Sequence, residues 1–312
     1  MSFVVLDPGV YSLLVDAGRL AARSLGVPVG GSASRADHTL GNALLGNLPD
    51  AVALEVALVG PTLRVEHRTA AVLFGAPFSL HILGKSAISA GSTFTLEPGA
   101  VLRIGGTPTG ARGYLCVAGG FDAPTILGSR SGLEPVRSGD VLRCPASSTS
   151  ARRSLPFLSF DASDSVETIL RAVDGPQRDW FPADVFFDRP YRVSSASNRM
   201  GVRLTGDPLT RRPGELMSEA VAPGAVQITN DGLPVVLGAD GQTIGGYPKV
   251  AHVIRADLDA VGQLRPGTTV RFHRVTQSEA VVAAQVRAKR LREWVWRAGL
   301  GAEEGVRLNG KS

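Results

Sequence analysis

Two short segments hold the residues best suited to chemistry: Ser197-Asn198-Arg199-Met200-Gly201-Val202-Arg203-Leu204 and, further along, Gln242-Thr243-Ile244-Gly245-Gly246-Tyr247-Pro248-Lys249. Side chains on short turns between strands can point into a cleft, and glycine lets a ligand approach the backbone closely. Arg199 offers a planar fork for a carboxylate or phosphate, whereas Lys249 is a compact charge that responds to its surroundings. Gln227, in Pro223-Gly-Ala-Val-Gln-Ile228, stands mid-strand, where an amide is costly unless it is paired or faces a cleft. With Gln242, Thr243 and Tyr247 around Gly245 and Gly246, these groups suit a small amide or carboxylate substrate and could polarise a carbonyl oxygen. The same residues could equally knit the loops of a β-domain together, and chemistry alone leaves both readings open.

Other chemistries lack their signatures. The sequence has no His-Glu-x-x-His, no Walker-type phosphate loop and no Gly-x-Ser-x-Gly elbow. The five histidines, His38, His67, His81, His252 and His273, are dispersed without ligand spacing, so no metal site is expected; His81 and His252 read as structural. Cys116 and Cys144 sit in apolar strand-like runs and read as buried free thiols. The net charge of +5 comes from scattered arginines, which gives no reason to expect nucleic acid as a partner. Met1-Ser-Phe-Val-Val-Leu lacks a signal-peptide pattern, and no segment approaches the roughly 20 apolar residues of a membrane span, so a cytoplasmic protein with no membrane partner is expected.

The elements that must position these residues are mainly strands. Gly 37 and Pro 20 divide the 312 residues into short runs of Val, Leu, Ile and Thr, the all-β pattern. Strands are expected at 53–58, 62–66, 71–74, 79–82, 93–96, 101–104 and 111–117, and helices over Leu13–Leu25, Ser34–Leu45 (capped by Ser34 or Asp37) and Thr276–Gly299. The last carries Val281, Val282, Val286, Leu291, Val295 and Trp296 near one face; Trp294 and Trp296 fit either an interface with another protein or packing within the chain. Leu96-Glu-Pro-Gly-Ala-Val-Leu-Arg-Ile104 reads like Leu264-Arg-Pro-Gly-Thr-Thr-Val-Arg-Phe272, each a Pro-Gly turn feeding an alternating strand. Ala71-Val-Leu-Phe-Gly-Ala76 and Val235-Val-Leu-Gly-Ala239 precede the two copies. Two similar β-barrel-like domains follow, 1–150 and 151–276, joined within Ala146–Pro156, with a C-terminal helix and tail over 277–312.

The motifs also resemble a known family. Asp16-x-Gly18-Arg19, Gly26-Val-Pro-Val-Gly-Gly31, Asn42-Ala-Leu-Leu-Gly-Asn47, Leu54-Glu-x4-Gly60-Pro-Thr-Leu63, Val117-Ala-Gly-Gly120, Leu127-Gly-Ser-Arg-Ser131, Ser197-Asn-Arg-Met-Gly201, Gly245-Gly-Tyr-Pro-Lys249 and Gln263-Leu-Arg-Pro-Gly267 occur in one order. They are similar to the carboxyltransferase-type family of the 5-oxoprolinase C-type chain and allophanate hydrolase subunit 2. The resemblance runs from Pro8 to about Ala280 and implies two tandem cyclophilin-like β-barrel domains with few short helices.

The resemblance implies an ATP-dependent hydrolase complex that opens 5-oxoproline to glutamate, with partners similar to the B-type and A-type chains of 5-oxoprolinase. ATP would be bound with those partners and not by a motif of this chain. It also implies two alternatives: a non-catalytic binding or regulatory subunit of the Kip type, or a carboxyltransferase acting on urea with biotin on a separate carrier. Placed on the family motifs, Arg199 with Asn198 would bind the substrate carboxylate. Lys249 and Tyr247 would stabilise charge on the carbonyl oxygen or supply a proton, and Gln227, Gln242 and Thr243 would orient the amide beside Gly245 and Gly246. Asp16 and Arg19 would complete the cleft. Three departures fall in the first half. Val15 replaces a usual Gln, Ser32-Ala33-Ser34 replaces Ala-Met-Asp, and the chain runs from Ser131 through Gly132 to Gly139 without the family's extra glycine-rich segment.

Overall fold

A computed structural model describes residues 2–85, 87–148, 153–157, 159–160, 167–182 and 184–307, with side chains as far as 299. They form two compact units. The first comprises Met1–Gly18, Arg35–Ala162 and Arg290–Ser312; the second comprises Arg19–Ser34 and Ser163–Lys289. Of the expected join, 149–152 lie outside the described residues. The fold is mainly β, as the punctuation of the sequence requires.

The first unit carries strands β1 (Ser2–Asp7), β2 (Tyr11–Val15), β3 (Ala53–Ala57), β4 (Thr62–Val65), β5 (Thr69–Gly75), β6 (Leu80–Ile82), β7 (Ala87–Ile88), β8 (Phe94–Leu96), β9 (Val101–Ile104), β10 (Arg112–Val117) and β11 (Val141–Arg143). They are hydrogen-bonded as two sheets, ordered β11-β1-β4-β9-β6-β7 and β2-β3-β10-β5-β8, and not as one closed ring. Alternate residues of both sheets, among them Phe3, Leu63, Leu102, Leu54, Leu73 and Leu115, meet in one core, as the two-residue period dictates. Every residue of β5 is buried, because its other face is covered too. There Val72, Phe74, Tyr114 and Cys116 pack on helix α1 (Arg35–Leu44) through Ala36, Leu40, Ala43 and Leu44. Asp37, expected as a cap, accepts hydrogen bonds from Ser159 Oγ (2.9 Å) and the Phe160 amide (2.6 Å).

The helix expected over Leu13–Leu25 does not form. Tyr11–Val15 pairs in register with β3, and a left-handed Gly18 (φ 87°) ends the run before a short 3-10 turn at Leu20–Leu25. Pairing with a neighbouring strand overrides the local helical spacing. Cys116 and Cys144 are free and buried; desolvation raises the first thiol and pushes the second up to about 11. His81 stands exposed on β6, not in a core.

The second unit carries β12 (Glu167–Asp174), α2 (Val185–Asp188), β13 (Tyr191–Val193), β14 (Gly201–Thr205), β15 (Glu219–Ala220), β16 (Ala225–Ile228), β17 (Pro234–Leu237), β18 (Ile244–Gly245), β19 (Lys249–Val253), α3 (Leu258–Gly262) and β20 (Thr269–Arg274). Seven of these strands close a barrel in the order β12-β19-β16-β17-β14-β13-β20, and β15 pairs with β18 as a separate two-stranded ribbon. The long helix α4 (Gln277–Arg307) begins with a capping box: the Glu279 amide donates to Thr276 Oγ1 and the Thr276 amide to Glu279 Oε2. Its expected apolar face divides. Leu291, Trp294, Val295 and Ala298 pack in the first unit, with Trp294 edge-on to Phe157 at 4.8 Å, while Val281, Val282, Val286 and Trp296 are exposed.

The internal repeat is carried by one turn. In Glu97-Pro98-Gly99-Ala100 the Ala100 amide donates to the Glu97 carbonyl at 3.1 Å, and in Arg265-Pro266-Gly267-Thr268 the Thr268 amide donates to Arg265 at 3.1 Å. Gly99 then donates to Val65 O (2.7 Å) and Gly267 to Val193 O (2.8 Å), while each valine amide returns a bond to the turn's last carbonyl. A third copy, Arg137-Ser138-Gly139-Asp140, makes the same three bonds, two of them with Val5, and leads into β11. All three glycines lie at positive φ (80°, 89° and 91°), which the third position of a type II turn demands. An added Cβ meets nothing within 4 Å at Gly99 or Gly267, so only backbone conformation opposes a side chain there. Gly99→Ala and Gly267→Ala are therefore each expected to cost about 1 kcal/mol net. The left-handed penalty of about 1–2 kcal/mol outweighs the gain of about 0.4–1 kcal/mol from a stiffer unfolded chain. Urea unfolding checks this, and an unchanged midpoint would show that the turns do not enforce positive φ.

Candidate functional site

Lys249 opens β19 with 5% of its surface exposed. A buried ammonium needs a partner, and Lys249 Nζ donates to Glu219 Oε1 of β15. Gln177 completes the arrangement. Its Oε1 accepts the Lys249 backbone amide at 3.0 Å, and its Nε2 donates to the same Glu219 Oε1 at 2.8 Å. Gly175 is what brings Gln177 there. A Cβ on Gly175 would lie 2.2 Å from the Lys249 carbonyl oxygen, so only glycine lets the 175–177 turn lie against β19. The Gly175 amide then donates to Val250 O (3.0 Å) and the Gln177 amide to Lys249 O (3.2 Å). Hydrogen bonds from Lys249 and Gln177 hold the Glu219 carboxyl below the usual carboxylate range.

Gln227 is brought opposite Lys249 by an irregularity. The β16–β19 register runs Val226↔Ala251 and then Gln227↔Lys249, so Val250 is an extra residue on β19, a bulge that re-aims the side chains around it. Val226 and Ile228 point into the barrel core, so Gln227 between them projects from the outer wall. It is nonetheless only 2% exposed, because the β15–β18 ribbon covers it. A Cβ on Gly245 would lie 2.7 Å from Gln227 Nε2 and 2.9 Å from Gln242 Nε2. Two amide nitrogens thus converge over a glycine whose missing side chain makes the room. Gln227 Nε2 is buried without a hydrogen-bond partner. Gly245 stands opposite Glu219 in the ribbon, which closes the group: Gln177, Glu219, Gln227, Gln242, Gly245 and Lys249.

The remaining expected residues fall elsewhere. Arg199 grips Asp240 with Nε (2.6 Å) and Nη2 (2.9 Å) and donates from Nη2 to Gly31 O at 2.6 Å. The carboxylate given to its fork is therefore Asp240, not an open substrate site. Arg19, 3% exposed, reaches the same place; a Cβ on Gly30 would lie 3.2 Å from its Nη1 and 3.9 Å from Asp240 Oδ1. Asn198 closes its own turn by accepting the amides of Met200 (2.9 Å) and Gly201 (3.3 Å). Thr243 is buried and its carbonyl accepts the Val221 amide at 2.9 Å; Gly246 and Tyr247 are exposed.

Asp16 belongs to the first unit and organises a loop there. It accepts hydrogen bonds from Ser129 Oγ (2.6 Å), Ser131 Oγ (2.7 Å), the Arg130 amide (2.6 Å) and the Gly18 amide (2.8 Å). Sequence reasoning missed Gln177, Glu219 and Asp240. Asp174-Gly-Pro-Gln177 carries a turn signal that could have pointed to Gln177, whereas nothing local distinguishes Glu219 from a solvated carboxylate.

The carboxyltransferase domain profile, subdomains A and B, matches residues 25–274. The chain belongs to the carboxyltransferase domain family. It is 33% identical to the C-type chain of 5-oxoprolinase from Escherichia coli K12, over 94% of this chain and 97% of that protein. It is 30% identical to urea amidolyase of Saccharomyces cerevisiae over 85% of this chain, which spans only 16% of that protein. The crystal structure of Kluyveromyces lactis urea carboxylase superposes with a TM-score of 0.84 at 28% identity, covering 94% of this chain and 29% of the carboxylase. Family membership and the mainly β fold thus agree with the motifs read from the sequence. No described helix is long and apolar enough to cross a membrane.

Asp16 supplies a pH test of its structural part. Burial raises its carboxyl, but the bonds from Ser129, Arg130, Gly18 and Ser131 together prevail and leave it below its ordinary value. A depressed carboxylate stabilises the fold above its unfolded pKa, and that contribution fades as pH falls through the folded pKa. Asp16→Asn should accordingly lower the melting temperature at neutral pH, and the gap to wild type should narrow as pH falls below about 4. A gap independent of pH would show that the charge of Asp16 contributes nothing.

Proposed function

We propose that this chain is the C-type component of a cytoplasmic, ATP-dependent complex that hydrolyses 5-oxoproline to glutamate. The observation that supports this reading best is the partnerless, buried Gln227 Nε2 beside Gln242 Nε2 over Gly245, with the Lys249 ammonium across the strand pair. A lactam presents a carbonyl oxygen and a ring N–H in one small flat group. The amide nitrogens of Gln227 and Gln242 would donate to its oxygen, and Lys249 would stabilise the negative charge that develops there. An orphaned buried donor costs about 1–3 kcal/mol, which a bound carbonyl would relieve. Tyr247, exposed beside Lys249 in sequence, would lie on the rim. Hydrolysis of a stable lactam needs coupling to ATP, which partners similar to the B-type and A-type chains of 5-oxoprolinase would bind.

A second reading is carboxyl transfer to urea. It is favoured by the urea carboxylase likeness and by the cradle itself, because the –NH–CO– group of a lactam recurs in urea and in the ureido ring of biotin. Biotin would arrive on a separate carrier and supply the carboxyl group; Gln227 and Gln242 would hold its ureido oxygen.

The deciding experiment is 5-oxoproline-dependent ATP hydrolysis by this chain copurified with the products of its neighbouring genes. Lys249→Ala is expected to reduce turnover by roughly 10²–10³-fold, the usual loss for one donor to a developing oxyanion. Gly245→Ala should reduce it as well, since its methyl would displace both glutamine amides. Turnover unchanged in Lys249→Ala would remove the site. Carboxylation of urea by a biotinylated carrier, without activity on 5-oxoproline, would establish the second reading. A stable complex inert with both would mark a regulatory subunit of the Kip type.

A further inference from the structure

Glu219 is the group the preceding reading leaves without a task. Its side chain is 41% exposed, so it stands at the mouth of the cluster, where Lys249 and Gln227 are buried. Both donors that hold it, Lys249 Nζ and Gln177 Nε2, bond to Oε1. Among the described residues Oε2 has no hydrogen-bond partner. A carboxylate fixed through one oxygen and open at the other has the geometry of a proton acceptor: orientation is set, and one lone-pair face is free for a substrate or water.

Gln177 fixes that orientation from both ends. Because its Oε1 is engaged by the Lys249 backbone amide, its amide group cannot flip, and Nε2 must face Glu219. Opposite Glu219 in the ribbon stands Gly245, the glycine under the two glutamine amides, so the open oxygen borders the space those amides address. The charged group facing Glu219 is Lys249 of β19; Ile244 and Gly245 of β18 carry no charge.

We propose that Glu219, through Oε2, is the general base of this site and that Gln177 is the residue that positions it. The inference rests on the lactam reading above. In the hydrolytic step a water O–H bond breaks, and its electron pair forms the bond to the carbonyl carbon. The carbonyl π pair moves onto the oxygen beside Lys249, and the proton passes to Glu219 Oε2. The oxygen's electron pair then re-forms the carbonyl as the ring C–N bond breaks, and the C–N pair stays on nitrogen and takes that proton back, which regenerates the carboxylate. The bonds that hold Glu219 below the usual carboxylate range keep it ionised, as a base must be.

The test uses the assembled complex with wild-type chain, Glu219→Gln, Glu219→Ala and Gln177→Leu. Glu219→Gln keeps an acceptor for Lys249 and should lower kcat by about 10²–10⁴-fold with little change in KM. Formate should restore part of the activity of Glu219→Ala, a rescue that a purely structural carboxylate would not give. Gln177→Leu removes one bond that favours the charged form, so the acid limb of its pH–rate profile should move to higher pH while the plateau falls less than in Glu219→Gln. A wild-type complex that turns over, with Glu219→Gln matching it or Glu219→Ala indifferent to formate, overturns the assignment of the base alone. A wild-type complex without turnover overturns the functional reading and the base together.

Discussion

The burial of the Lys249 ammonium is the constraint around which the second unit's outer wall is arranged. A charge at 5% exposure is tolerated only with a counter-charge and hydrogen bonds at hand, and the apolar barrel core offers none. The ribbon β15–β18 therefore contributes Glu219, and the 175–177 turn contributes Gln177. Each of these needs a glycine. Gly175 permits the turn's contact with the Lys249 carbonyl, and Gly245 permits the ribbon to close over Gln227. The cluster is thus one polar network attached to a β-barrel, and the network's satisfied bonds all run to Glu219 or to backbone. What it leaves unsatisfied is Gln227 Nε2.

The fold was legible where local rules coincide with tertiary ones. Alternation in 62–65 and 101–104 names both the strands and their buried faces, because each lies between sheet partners with one face inward. The Pro-Gly turns were equally readable, since glycine at positive φ follows from turn type alone. The third copy, at Gly139, is not legible in the sequence because Ser138 stands where the others have proline, although its hydrogen bonds are the same. Leu13–Leu25 failed for the opposite reason. Its leucines fit a helix locally, but pairing of Tyr11–Val15 with β3 is decided by residues far along the chain.

The site was legible as composition and not as geometry. Lys249, Gln227, Gln242 and Gly245 could be picked out because amides, charge and paired glycines are unusual in strand-rich sequence. Their partner Glu219 could not, since an acid before Ala-Val-Ala-Pro resembles any surface residue until β15 is seen against β18. The opposite error befell Arg199. Its type and spacing suggest a ligand, yet Asp240, forty-one residues away in sequence, fills the fork. A guanidinium announces that it will bind a carboxylate, not whose carboxylate it will be.

The three departures from the family pattern can be weighed on the same terms. Val15 is fully buried in the core behind β2, where an apolar side chain needs no partner and an amide would. Ser34 is likewise fully buried, and a hydroxyl there is easier to satisfy than a carboxylate. The short run from Gly132 to Gly139 keeps its backbone bonded, Gly132 to Leu14 O and Val136 to Ser12 O, before the third glycine turn feeds β11. Each departure therefore exchanges a polar or longer element for one the surrounding fold satisfies more simply. None removes a residue from the network of Lys249, Glu219, Gln177, Gln227, Gln242 and Gly245. Their effect on activity would have to come through groups outside that network, because the chemistry assigned to the network needs none of the side chains that were exchanged.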